Sequence, residues 1–288
     1  MSHPSGIDAL IAEDLQLASL PEVVIRAVDM VNDPDTSASD IGAVINEDPA
    51  LAARLLKLVN SPFFGFPSRI ETVSRAITIV GTLELLDLIM GAVVVKAFGS
   101  MPSTLVSMNA FWSHSLYAAL VARALAGRHR APKAERFFIA GLLHDIGSLV
   151  LLQRRPRQMR AALERAARHR EPTFVAEQAV LGFDHCAVGA ALLEAWRLPE
   201  ALVETARCHH APAGARHHRL ESAIVHCADV IAGAATACAA DSGAVPPLEP
   251  AAWELTGLDV AVVEGVLAEA DSQFLAARAA LLGEPAPA

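Results

Sequence analysis

The sequence predicts an all-α protein built as a two-lobed helical bundle. Apolar residues recur at helical spacing along almost all of the 288 residues. No segment shows the sustained apolar–polar alternation of a half-buried strand. Proline, glycine and Ser/Thr/Asp caps punctuate the chain at helix-length intervals.

Pro21 stands where a helix starts, ahead of "EVVIRAVDMVN". Ser37 and Asp40 follow at capping-box spacing, with Asp in place of the usual Glu. Asp48-Pro49 opens "ALAARLLKLVN", where Leu51, Leu55, Leu58 and Val59 share one face. "SPFFGFPSR" (Ser61–Arg69) is a loop by its Pro and Gly, yet an apolar one, and is expected near the junction of the lobes. Helices follow over Thr72–Val80 and Leu83–Phe98. The best internal boundary is Gly99–Thr104, so the first lobe runs to about residue 100 and the second starts at about 104. Helices are then expected over Asn109–Ala126, Lys133–Leu152, Arg157–His169, Phe174–Leu181, His185–Trp196, Ala201–Cys208, Leu220–Ala240 and Val260–Leu282. "DSGAVPPLEP" separates the last two, and "GEPAPA" reads as a frayed end.

Composition excludes several functions. The chain is 53% hydrophobic, but no run reaches the roughly 18 apolar residues of a membrane span; "LIMGAVVV" stops at Lys96. "MSHPSGIDAL" lacks a basic segment followed by an apolar one, so no signal peptide is expected. Cys186, Cys208, Cys227 and Cys238 form no CxxC motif, which suits a reducing cytoplasm. A net charge of −9 argues against a protein whose main task is gripping nucleic acid. The arginine-rich stretch Arg154–Arg170 departs from that average. A solvated amphipathic helix is its plainest reading, with a docking face for an acidic partner or a phosphate as the other.

The second lobe carries histidine and aspartate on separate helices: His114, His144-Asp145, His185, His209-His210 and Asp229. Imidazole with carboxylate suits first-row metals such as iron, manganese or zinc. Seven candidate ligands are too many for one closed tetrahedral ion and enough for two. A single histidine is more often a hydrogen-bonded core or surface residue than a ligand, so the case rests on convergence. His3, His129, His169, His217 and His218 read as exposed, and His226 fits either reading. Cys186 and Cys208 flank candidate ligands; small buried cysteine is the commoner explanation and redox sensing the other.

"LLHDIG" resembles the HD signature of the metal-dependent phosphohydrolase superfamily. The order His, His-Asp, His, His-His, Asp is similar to that of the branch hydrolysing cyclic di-GMP. The first half, from "LPEVVIRAV" to "TLELLDLI", resembles the opening of the HDOD domain, the HD-related output domain of bacterial signalling proteins. "FWSHSLYAALVARALA", "FIAGLLHDIGSLVL" and "GFDHCAVGAALLEAWRLPEALVETARCHH" continue it, so the resemblance covers Leu15 to Pro212. Residues 213–288 are then a helical extension packed on an HD-like bundle.

The resemblance implies a regulatory role in two-component or cyclic-dinucleotide signalling, through contacts with signalling proteins and generally without hydrolase activity. It implies one or two divalent ions in a mainly structural site. The alternative is a metal-dependent phosphohydrolase acting on a nucleotide or phosphate ester; a third reading is a metal-free ligand sensor. Two departures bear on that choice. Ser148 stands where the active branch has lysine, removing a cation that could hold phosphate. "APAGARHH" follows His210 in place of a Gly-Tyr-Pro segment, which makes cyclic di-GMP a poor substrate.

Overall fold

The computed structural model describes residues 6–12, 21–31, 33, 35–61, 66, 68–98, 101, 103–237 and 245–282. Among these every regular element is helical. No helix among them is long and apolar enough to cross a membrane. The chain divides into two compact units, residues 19–101 with 268–288, and residues 1–18 with 102–267.

The first unit contains α2 (Glu22–Val31), α3 (Ala38–Asn46), α4 (Pro49–Val59), α5 (Val73–Val80) and α6 (Thr82–Phe98). Ser37 and Asp40 form the expected reciprocal box: the Ser37 hydroxyl accepts from the Asp40 N–H, and the Asp40 carboxylate accepts from the Ser37 N–H. Asp48 caps α4 by accepting from the N–H groups of Ala50 and Leu51, both at 3.0 Å. Leu55, Leu58 and Val59 are fully buried, as are Leu85, Leu88 and Val94 of α6. Asn60 then pins the chain after α4. Its amide nitrogen donates to the carbonyls of Leu56 and Ile70, and its carbonyl accepts from the Ile70 N–H at 2.7 Å. Of the apolar loop between those points, residues 62–65 and 67 lie outside the described residues, as do residues 99, 100 and 102 of the expected boundary.

The second unit begins with α1 (Gly6–Ala12) and continues through α7 (Met108–His129), α8 (Ala134–Leu143), α9 (Ile146–Arg154), α10 (Pro156–His169), α11 (Thr173–Leu181), α12 (His185–Ala195), α13 (Glu200–Cys208), α14 (Arg219–Ala237) and α15 (Pro250–Thr256). α7 is its spine, packed against α8 and α14. Close packing needs glycine at two crossings. A Cβ at Gly141 would meet the Ala119 Cα at 2.8 Å, so α8 lies almost backbone to backbone on α7. A Cβ at Gly147 would meet the His185 carbonyl oxygen at 2.0 Å, so α9 presses the start of α12 equally hard. Helix α10 is the amphipathic helix expected of the arginine-rich stretch. It buries Met159, Ala162 and Ala166 and leaves Arg157, Arg160 and Arg168 exposed.

Three expectations differ from the structure. The first lobe was expected to hold the chain up to about residue 100, but residues 1–18, which include α1, group with the second unit. The single helix expected over Lys133–Leu152 is two, α8 and α9, interrupted by a turn at His144 and Asp145. Hydrophobic periodicity runs through the break and cannot report it. The extension at 213–288 is also divided. Residues up to 267 group with the second unit, whereas 268–288, carrying most of α16 (Val262–Leu281), group with the first. There the Lys57 ammonium donates to the Ala279 carbonyl at 2.8 Å.

Candidate metal centre

The seven predicted residues converge within the second unit. His114 projects from α7, and its Nε2 lies 3.0 Å from Asp229 Oδ1 on α14. His144 Nε2 lies 3.6 Å from that same oxygen and 3.3 Å from Asp145 Oδ2. Asp145 Oδ1 turns the other way, to His185 Nε2 at 3.1 Å and His209 Nε2 at 3.5 Å. His210 Nδ1 is 3.6 Å from Asp229 Oδ2. Asp145 thus offers one oxygen to each half of the cluster.

Local structure explains why these atoms face inward. The turn between α8 and α9 lets the His144 Nδ1–H donate to the Gly141 carbonyl at 2.7 Å. His209, ending α13, repeats the arrangement, its Nδ1–H donating to the Ala206 carbonyl at 2.8 Å. His185 opens α12 behind the Asp184 cap, and its Nδ1–H donates to Glu177 Oε2 at 2.7 Å. A carbonyl or an ionised carboxylate can only accept, so each Nδ1 keeps its proton, and each Nε2, once it gives up its own proton, presents a lone pair to the cluster. Metal-bound histidines are typically oriented in this way.

The donors fit a divalent ion. His185 Nε2 and His209 Nε2 are 3.4 Å apart. Two nitrogens sharing one tetrahedral ion at about 2.0–2.1 Å would be separated by about 3.3 Å. His144 Nε2, Asp145 Oδ1, His210 Nδ1 and Asp229 Oδ2 are buried without a hydrogen-bond partner. They meet only the ion-pair contacts above, so part of their lost hydration is uncompensated. Among the described residues three overlapping donor groups form: His114, His144 and Asp229; His144, Asp145 and His209; and His185, Cys186, His209 and His210.

Electrostatics report the same crowding. Burial opposes charging His144, but the carboxylates of Asp145 and Asp229 outweigh it and hold its pKa well above the ordinary imidazole value. Burial likewise opposes charging Asp145 and Asp229, and the facing histidines keep both well below the usual carboxylate range. His185 is raised against its own burial, chiefly by Glu177. His210 goes the other way, lowered by burial and by the neighbouring positive charge of His209 and His185.

Of three further participants, Glu177 was not singled out in the sequence, Cys186 was read as a small buried cysteine or a redox sensor, and His226 fitted either reading. Glu177 is fully buried on α11 and accepts from both the N–H and the Nδ1–H of His185. An acidic residue in the otherwise apolar "FVAEQAVL", eight residues before His185, was the available signal. Cys186 points into the cluster, its Sγ 3.8 Å from His209 Nε2. His226 is a brace: its Nδ1–H donates to the His209 carbonyl at 2.7 Å, and its Nε2 accepts from the Glu249 N–H at 2.9 Å. Among the histidines expected to be exposed, His129 and His218 are half-buried: the His129 Nδ1–H donates to the Thr256 carbonyl at 2.7 Å, and the His218 N–H donates to the Glu204 carboxylate at 2.5 Å. His3 lies outside the described residues.

The sequence profile of the HDOD domain matches residues 17–212. The chain belongs to the HDOD family. An uncharacterized protein of Treponema pallidum (strain Nichols) is 32% identical over 196 residues, which are 67% of this chain and 37% of that protein. The chain therefore spans little more than a third of that relative. Solved structures share the fold. A Shewanella amazonensis protein provisionally named a phosphohydrolase matches with a TM-score of 0.74 at 23% identity, over 97% of this chain and 99% of that one. An HDOD domain protein of unknown function from Geobacter sulfurreducens gives 0.68 at 24% identity, over 94% and 98%. A Marinobacter aquaeolei protein provisionally named for signal transduction gives 0.69 at 24% identity, over 92% and 60%.

Proposed function

We propose that this HDOD chain is a regulatory module of bacterial signalling that acts through contacts with other signalling proteins. Its His/Asp cluster holds one or two divalent ions, iron, manganese or zinc, in a structural role. The observation that carries this reading is enclosure. The side chains of His144 and His209 are 0% exposed, His185 4%, Asp229 5% and His210 9%. Little of the cluster's surface is therefore open to a phosphate ester. Among the described residues, the ion-pair partners of Asp145 and Asp229 are all histidines. Ser148 stands where the active branch has lysine, so that cation is not there to clamp a phosphate. The described cysteines Cys186, Cys208 and Cys227 are all free, which suits a reducing cytoplasm.

When bound, a divalent ion supplies positive charge to two carboxylates and a partner for the inward imidazole lone pairs. The chain's own residues do the rest. Gly141, Ala206 and Glu177 orient the histidines, Asp145 joins the two halves, and Phe174 stacks on the His210 ring at 4.4 Å between centroids. One observation favours the phosphohydrolase alternative. His114 and Asp145 are 23% and 20% exposed, so part of the cluster meets solvent.

The deciding experiment uses protein purified without a histidine tag. Its metal content is measured, and the loaded protein is offered cyclic di-GMP, nucleoside triphosphates and an activated phosphodiester. Bound metal without turnover is expected. Turnover by the wild type that is abolished in a folded Asp145→Ala protein would establish the enzyme instead.

A further inference from the structure

We infer that Cys186 is itself a metal ligand, so that His185, Cys186, His209 and His210 form a closed thiolate–imidazole site for a thiophilic ion of the zinc or iron(II) class. This rests on the metal-binding reading above and deepens it. The four donor atoms lie within 4.8 Å of one another. Cys186 Sγ stands 3.8 Å from His209 Nε2. A sulfur at about 2.3 Å and a nitrogen at about 2.0–2.1 Å from one tetrahedral ion would be separated by about 3.6 Å. The nitrogen pair of His185 and His209 meets the same criterion independently, at 3.4 Å.

Burial alone does not produce this arrangement. Cys227 is fully buried on α14 and Cys208 is 8% exposed, yet neither stands in a group of candidate ligands. Cys186 differs because it follows His185 in the first turn of α12, which Gly147 and Asp184 hold against the cluster. Asp145 Oδ1, buried and without a hydrogen-bond partner, lies 3.1 Å from His185 Nε2 and 3.5 Å from His209 Nε2 of the same group.

The thiolate divides the cluster by chemistry. His114, His144 and Asp229, with Asp145 beside them, offer oxygen and nitrogen only. The sulfur group favours zinc, iron or cobalt over magnesium or manganese. Four protein donors also complete a tetrahedron, the closed arrangement of a structural ion. One ion should therefore bind tightly in the sulfur group, with any second ion held more weakly at the oxygen-bearing side.

Anaerobic loading of the metal-free full chain with cobalt(II) tests this. Cobalt should bind and give sulfur-to-cobalt charge-transfer absorption in the near ultraviolet. Cys186→Ser should lose that absorption and Cys208→Ser should keep it. X-ray absorption of the zinc-loaded wild type, which needs no variant to fold, should show a sulfur neighbour at about 2.3 Å. Bound metal without a sulfur neighbour would overturn the inference and leave the metal site standing. So would a charge-transfer band that survives in Cys186→Ser. Failure of the folded wild type to bind cobalt or zinc at all would instead overturn the metal reading on which the inference rests.

Discussion

Gly147→Ala should loosen the metal centre without replacing any ligand. The new Cβ would lie 2.0 Å from the His185 carbonyl oxygen and 2.5 Å from the Gly189 nitrogen. Both are backbone atoms and cannot rotate away. Restoring ordinary contact requires α9 and α12 to part by about 1.4 Å. Asp145 precedes α9 and His185 opens α12, and their side chains meet at 3.1 Å, so the same displacement separates them. Overpacking of this kind costs about 1–3 kcal/mol. In a unit of about 180 residues that lowers the melting temperature by about 2–12 °C. Gly189→Ala is the internal control. Its Cβ would approach the Gly147 nitrogen only to 3.2 Å, and the better helix propensity of alanine offsets about 0.5–1 kcal/mol of the crowding. Thermal melts of the three proteins, with metal content measured on the same samples, provide the assay. Gly147→Ala should melt lower and hold less metal, and Gly189→Ala should stay near the wild type. Equal effects of the two substitutions, or a Gly147→Ala protein with wild-type melting and metal content, would refute the close-crossing argument.

Removing metal with a chelator should lower the melting temperature, because an ion that binds only the folded state contributes about 2.7 kcal/mol at 100 times its dissociation constant. A metal-containing protein whose melting curve ignores chelator would contradict a structural role. Glu177→Gln keeps the shape of the side chain that orients His185 but removes its charge, and should weaken metal binding about 10–100-fold in a chelator-competition titration. Unchanged affinity would show that orientation of His185 comes from packing instead. The stabilisation by metal should also depend on pH. In the metal-free protein His144 and His185 are raised, so their charged contribution is complete below about 6.5 and fades as pH rises through their folded-state values. Ligating imidazoles must be neutral, so metal binding strengthens over the same interval. The melting gap between loaded and metal-free protein should therefore widen as pH rises; a gap constant with pH would count against histidine ligation.

The helices were legible because punctuation and periodicity coincide in this chain. Ser37 with Asp40, and Asp48 before Pro49, cap helices as their spacing implies, and α12 begins at the His185 that the sequence marked. Periodicity failed where two helices meet without a change in hydrophobicity. "FIAGLLHDIGSLVL" is apolar on both sides of His144, so nothing in its pattern separates α8 from α9. The fate of the carboxyl-terminal segment was equally hidden. α16 is one helical run, and which unit each part joins depends on distant surfaces such as that around Lys57.

The break between α8 and α9 also explains why residue type outperformed helical geometry at the site. On a continuous helix His144 and Asp145 would project about 100° apart. In the turn they instead approach to 3.3 Å, while Asp145 still reaches His185 from its other oxygen. Interrupting the helix releases the Gly141 carbonyl to orient His144, and Gly147, just inside α9, admits α12 at close range. The motif "HDIG" therefore specifies a piece of backbone as much as two ligands. Its histidine needs the turn, its aspartate supplies an oxygen to each half, its isoleucine is buried and its glycine sets the helix crossing. What one sequence could not disclose is the supporting layer, because Glu177, Cys186 and His226 acquire their roles only through segments far apart in the chain.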